Sequence, residues 1–158
     1  GLNGEASYAE LGGAYCAASE LLNLMARCLT GRMLTPELLY GPEKQEKSVI
    51  TGKVDVKALA EEVFSHTERV LGFKQLPSLY RVGDSFVSPV DAFAMLSKAL
   101  LEGQTQIGAV EGRLAAADHV NEASQFGGGW ALWDPDFRAE GIFEQTKLQC
   151  WTLKPAIF

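Results

Sequence analysis

The stretch that decides the fold is residues 76–100, which read LPSLYRVGDSFVSPVDAFAMLSKAL. Two short runs rich in β-forming residues flank Gly83-Asp84, and glycine at the first central position of a two-residue loop is typical of a tight hairpin turn. Ser88 can then cap a helix whose first position suits Pro89. The stretch therefore predicts a β-hairpin over residues 79–87 that leads directly into a helix.

Apolar residues at helical spacing predict further helices on both sides of this stretch. Glycines that follow the last apolar position indicate where three of the helices stop. A polar loop rich in Glu, Lys, Gln and Ser separates the first two helices over residues 43–53. The expected helices span residues 14–31, 55–72, 88–103, 106–124 and 139–151.

These elements predict an all-α fold, a bundle of four to five helices with one small β-hairpin and an irregular C-terminal segment. The 158 residues are close to the usual size of one domain, so residues 1–158 are expected to form a single helical domain. One pattern occurs twice: a helix, a glycine that ends it and a proline-led apolar turn, first around Gly31 and again around Gly72. This pattern suggests possible internal repeat units over 14–41 and 55–101.

Composition and charge exclude several classes of protein. The chain is 47% hydrophobic and 22% charged, which is ordinary for a folded domain. Its formal net charge is -6 and no basic stripe is visible, so we expect no nucleic acid partner. No apolar run approaches the roughly 18–20 residues that span a bilayer, which predicts no membrane insertion.

No pattern in the sequence indicates catalysis, a cofactor or a metal. The three cysteines lack the Cys-x-x-Cys spacing of a zinc site. Cys16 and Cys28 are expected on one helix as free thiols, and the alternative is a single bridge from one of them to Cys150. Neither His66 nor His119 belongs to a His-x-x-x-His pair. The prediction is therefore a protein that is not an enzyme, with no catalytic, cofactor-binding or metal-binding residues.

Residues 54–101 resemble the pseudomurein-binding repeat. That family has a helix, a Leu-Pro pair, a Val-x-Val-Gly-Gly-like turn, and a helix with Phe and Leu before a terminal Ala-Ile or Ala-Leu. The chain departs from it at Tyr80, where a small β-branched residue is usual, and at Asp84, where a second Gly is common. The resemblance implies a module at the cell surface, or secreted, that binds a cell-wall polymer. The matching residues are Leu76-Pro77, Val82-Gly83, Val87-Ser88, Phe93, Leu96 and Ala99-Leu100.

Aromatic residues crowd into the last third of the chain and supply the candidate ligand contacts. Trp130, Trp133 and Asp134 could form a sugar-binding platform, with Tyr80 of the hairpin as a further contact. The alternative is that the aromatic cluster is a second hydrophobic core. The sequence thus favours a non-catalytic binding module for a cell-wall or related glycan polymer. The alternative function is a helical protein–protein interaction or scaffolding domain.

Overall fold

The computed structural model describes residues 4–66, 68–70, 73–125 and 141–155. Helices and short strands are mixed along the whole of this part of the chain, so the all-α expectation is wrong. Its α-helices are α1 (Ala18–Leu29), α2 (Val56–Ser65), α3 (Pro89–Glu102), α4 (Ala115–Gln125) and α5 (Ile142–Gln149). A 3-10 turn, Cys150–Thr152, follows α5.

Short strands of two or three residues complete the described fold, and they form five separate pairs. The antiparallel pairs are β2–β3, β4–β9, β5–β6 and β7–β8, whereas β1 and β10 run parallel. The strands are β1 (Glu5–Ala6), β2 (Ala9–Leu11), β3 (Ala14–Cys16), β4 (Val54–Asp55), β5 (Glu68–Val70), β6 (Phe73–Gln75), β7 (Tyr80–Val82), β8 (Ser85–Val87), β9 (Gln106–Ile107) and β10 (Arg113–Leu114).

The hairpin and helix predicted from residues 76–100 are confirmed. Strands β7 and β8 pair in register around Gly83-Asp84, with Tyr80 opposite Val87. The Ser88 hydroxyl accepts a hydrogen bond from the Asp91 amide, and Pro89 begins α3. Gly103 ends the helix in the left-handed conformation, with φ of 66°.

The first helix starts later than its apolar spacing predicts. Gly12 and Gly13 both have positive φ, 59° and 83°, so the chain turns sharply there and residues 14–16 form β3 rather than the first turn of a helix. Positive φ is available to glycine without steric penalty, which is why two adjacent glycines favour a hairpin turn here. Cys16 consequently lies on a strand, and only Cys28 is on α1.

Two other helices are shorter than predicted. Helix α2 begins as expected, with the Asp55 carboxylate accepting a hydrogen bond from the Ala58 amide, but it ends at Ser65. Residues 68–70 form β5 instead. The predicted helix over 106–124 is split: its first part contributes β9 and β10, and α4 begins only at Ala115. In both regions, strand pairing with a distant or neighbouring segment overrides the helical spacing of the apolar residues.

The core lies where α1, α2 and α3 pack against one another. Fully buried side chains from all three helices meet in one cluster that includes Val63 and Phe93, with Leu100 only partly buried beside them. Strand β7 packs on α2, which places its hairpin directly against the core.

The described chain uses one arrangement twice. In residues 5–40, β1 precedes the β2–β3 hairpin, α1 follows the hairpin, and the bridge at Tyr40 comes after the helix. In residues 75–114, Gln75 precedes the β7–β8 hairpin, α3 follows the hairpin, and β10 comes after the helix. The spacing from the end of the helix to Tyr40 equals the spacing from the end of α3 to the start of β10. We call these the first unit and the second unit.

The two units are joined by exchanged strand contacts. The strand that follows each helix pairs, in parallel, with the segment that precedes the other unit's hairpin: Tyr40 with Gln75, and Arg113 with Glu5. This correspondence aligns α1 with α3 and the turn at Gly12 with the turn at Gly83, whereas the repeat suggested by the sequence aligns α1 with α2.

Candidate functional site

Tyr80, predicted as a ligand contact, is fully buried with 0% exposure. Its ring packs in the core cluster, and its hydroxyl has no hydrogen-bond partner among the described residues. Burial, and to a smaller extent the nearby charge of Glu62, raises the pKa of the Tyr80 phenol well above its usual value. In this structure Tyr80 therefore offers no surface to a polymer.

The other three predicted contacts, Trp130, Trp133 and Asp134, lie outside the described residues. Their role as a sugar-binding platform therefore stays a prediction, as does the alternative that they form a second core.

An exposed aromatic pair does lie within the described part of the chain. The rings of Tyr40 and Phe73 meet edge to face, with 5.4 Å between their centroids. Tyr40 is 41% exposed and Phe73 is 55% exposed. Their backbones are fixed by the bridge between Tyr40 and Gln75, in which the Tyr40 amide donates to the Lys74 carbonyl at 2.9 Å. We call this pair the Tyr40–Phe73 platform.

Polar side chains come from residues close to the platform in sequence. The Lys74 ammonium donates to the Glu37 carboxylate at 2.6 Å, and the Arg27 guanidinium donates to the same carboxylate at 2.8 Å. The hydrogen bond from Lys74 is the main reason that the pKa of Glu37 is lowered, against a smaller opposing effect of burial. The Gln75 amide also donates to the Gly41 carbonyl at 2.9 Å. Charged and amide groups thus belong to the same two segments that supply the rings.

A second surface feature is an apolar groove of about 780 Å³ beside the first unit. Strands β2 and β3 and helix α1 contribute to its lining, as do Phe93 and Leu100 of α3. Leu11, Leu34 and Cys28 lie in the lining and are exposed. We call it the α1 groove.

The described cysteines are free thiols, and His66 pairs with a carboxylate. No group of three or more His, Cys, Asp and Glu side chains in the described ranges could hold a metal ion. Cys16 and Cys150 are buried free thiols, and burial raises the pKa of each. His66 pairs with Glu62 at 3.0 Å on the exposed end of α2.

Sequence reasoning missed the platform because its two rings come from segments that are far apart in the chain. Tyr40 follows an apolar stretch and Phe73 follows an apparent helix stop, so neither residue carries a local sign of exposure. Only the bridge between Tyr40 and Gln75 brings them together.

Two further findings bear on what the protein could be. Across the described helices, none combines the length and the apolar character that crossing a membrane requires. No family model, curated protein or solved structure matches this chain.

Proposed function

We propose that this chain is a non-catalytic binding module that holds a cell-wall or related glycan polymer on the Tyr40–Phe73 platform. The observation that carries the proposal is the exposed pair of rings, on two segments that also supply charged and amide groups. An aromatic ring covers the C–H groups of a sugar, while neighbouring acids, ammonium groups and amides bond its hydroxyls. Tyr40 adds a phenol at the boundary between apolar surface and water.

The ion pairs around Glu37 support a binding role because Glu37–Lys74 links the segment before Tyr40 to the strand that carries Phe73. Glu37 is shared between Arg27 and Lys74, and the Arg27 side chain is itself only 11% exposed. A surface whose two segments are already linked loses little conformational freedom when a polymer binds. The resemblance of residues 54–101 to pseudomurein-binding repeats adds the class of polymer, and a location at or outside the cell surface.

The test is retention of the purified chain on insoluble cell wall. The unchanged protein, a Tyr40→Ala/Phe73→Ala variant and a Leu101→Ala variant are each mixed with pseudomurein-containing wall, with peptidoglycan and with cellulose. Leu101 is an apolar residue of α3 with 64% exposure outside the platform, so it serves as the matched control. Circular dichroism confirms that all three proteins are folded.

We expect retention of the unchanged protein and of Leu101→Ala on at least one wall polymer. We expect the bound fraction of the platform variant to fall at least about tenfold, which corresponds to about 1.4 kcal/mol of binding free energy. Equal retention of the platform variant, or no retention of the unchanged protein by any polymer, would contradict the proposal.

A second function, binding of a protein partner, is favoured by a different observation. The α1 groove exposes apolar side chains side by side, and contiguous apolar surface on a folded protein marks interaction sites.

A further inference from the structure

Within the described residues, a comparison of the two units shows which kind of segment covers the second unit but is missing from the α1 groove of the first. In the second unit, β9 pairs with β4, and the Val56 amide donates to the Thr105 carbonyl at 3.0 Å. Strand β4 leads into α2, which packs against α1, α3 and β7. One strand followed by one amphipathic helix therefore covers this side of the second unit.

The equivalent positions of the first unit are uncovered. Ile107 and Leu34 lie at the same spacing after the ends of α3 and α1, yet Ile107 is 2% exposed and Leu34 is 60% exposed. Residues 33–34 belong to no strand pair in the part of the chain that the structure describes. The edge that β4 occupies in one unit is thus open in the other.

Positions on the hairpin and the helix show the same difference. Ala99 and Cys28 lie at the same spacing after the ends of β8 and β3, but Ala99 is 1% exposed whereas Cys28 is exposed. Tyr80 at the start of β7 fills its side of the core, whereas its counterpart at the start of β2 is the small residue Ala9. The first unit therefore has room for apolar side chains supplied by another segment.

We propose that the α1 groove binds a partner protein through a short strand followed by an amphipathic helix, in the position that β4 and α2 occupy in the second unit. The strand would pair with the backbone of residues 33–34, and the apolar face of the helix would lie across β2, α1 and α3. Both contacts are known modes of peptide recognition, strand addition at an open edge and a helix in an apolar groove. The structure itself shows the shape of the occupant, because α2 presents Val56, Leu59, Ala60 and Val63 to the equivalent surface.

The probe is a synthetic peptide with the sequence of residues 51–66, which contains β4 and α2. A control peptide carries Leu59→Asp and Val63→Asp, which remove its apolar face. Binding is followed by the rate at which a maleimide alkylates Cys28, since Cys28 lines the groove and is exposed while Cys16 and Cys150 are buried. We expect the first peptide to slow the alkylation of Cys28, and the concentration dependence to give a dissociation constant of about 100 µM or tighter. The control peptide should leave the rate unchanged.

Variants of the protein locate the site. Leu34→Glu and Leu11→Glu place a charge on exposed groove positions, and Leu101→Glu places one on exposed α3 surface outside the groove lining. We expect each groove variant to weaken peptide binding at least about tenfold and the control variant to bind within about twofold of the unchanged protein.

Results of three kinds would overturn the proposal. One is the absence of protection by the first peptide, or equal weakening by Leu101→Glu. Another is that the first peptide binds a variant in which a Gly-Ser linker replaces residues 126–140 but does not bind the unchanged protein. The chain's own residues would then be the occupant of the groove. The third is a concentration-dependent dimer that Leu34→Glu dissociates, because a second copy of the chain would then be the occupant. The experiment uses no glycan, so its outcome is independent of the glycan-binding proposal.

Discussion

At the scale of single residues, Tyr80 illustrates how burial can leave a polar atom without a partner. Its ring is among the largest fully buried side chains, and its hydroxyl has no hydrogen-bond partner within the described structure. A buried hydroxyl that has lost its water and gained no partner is destabilising, while the ring itself stabilises the core.

Replacing Tyr80 separates these two effects. Tyr80→Phe should leave the free energy of unfolding unchanged or raise it by up to about 1 kcal/mol, because only the unpaired hydroxyl is removed. Tyr80→Ala should lower it by about 3–5 kcal/mol, because a ring-sized cavity remains. Urea unfolding followed by circular dichroism measures both, with the exposed Tyr40→Phe as a control. A loss of more than about 1 kcal/mol in Tyr80→Phe would mean that the hydroxyl is hydrogen-bonded in solution.

At the scale of elements, β10 approaches the start of α3 so closely that only glycine fits before it. The Gly112 amide donates to the Asp91 carboxylate at 2.7 Å, and a Cβ at Gly112 would lie 2.0 Å from the Val90 carbonyl oxygen. This close contact with the N-terminal turn of α3 therefore helps to fix the position of β10, and with it the parallel pair with β1.

Gly112→Ala should consequently lower the free energy of unfolding by about 2 kcal/mol or more, since backbone must move against backbone. Gly108→Ala is the matched control, because nothing lies within 4 Å of a Cβ at Gly108. We expect the control to stay within about 0.5 kcal/mol of the unchanged protein. Equal thermal melting of the two variants would show that the loop before β10 rearranges without penalty.

At the scale of the whole molecule, an ion pair between a buried carboxylate and an exposed ammonium joins α1 to the C-terminal segment. Glu20 in the first turn of α1 is 5% exposed, and its carboxylate accepts hydrogen bonds from the Ala17 amide and from the Lys154 ammonium, both at 2.8 Å. Glu20 and Lys154 are 134 residues apart in sequence. Lys154 thus couples the C-terminal segment to the central helices.

Lys154→Met should lower the free energy of unfolding by about 1–3 kcal/mol, because a buried carboxylate is left with fewer partners. In a Glu20→Gln background the same substitution should have a smaller effect, since no buried charge is then left unpaired. Lys98→Met, at an exposed lysine of α3, controls for the loss of one positive charge. If Lys154→Met lowers stability equally in both backgrounds, the ion pair is not the cause.

The sequence by itself determined the segment from the β7–β8 hairpin through α3, because every signal there acts within a few residues. A glycine in the turn, Ser88 bonding an amide three residues later and Gly103 in the left-handed conformation are all local requirements. The start of α2 at Asp55 was predictable for the same reason.

Tertiary structure alone decided the remaining strands and both candidate surfaces. Residues 106–107 and 113–114 have helical spacing, yet they form strands because Val54 and Glu5 offer backbone partners from distant parts of the chain. Tyr80 reads as a surface contact in the sequence but is buried, because α2 covers β7. The Tyr40–Phe73 platform and the α1 groove also depend on long-range pairing and packing. The free energy of such contacts is gained only when distant segments meet, so no local pattern in the sequence could have revealed either surface.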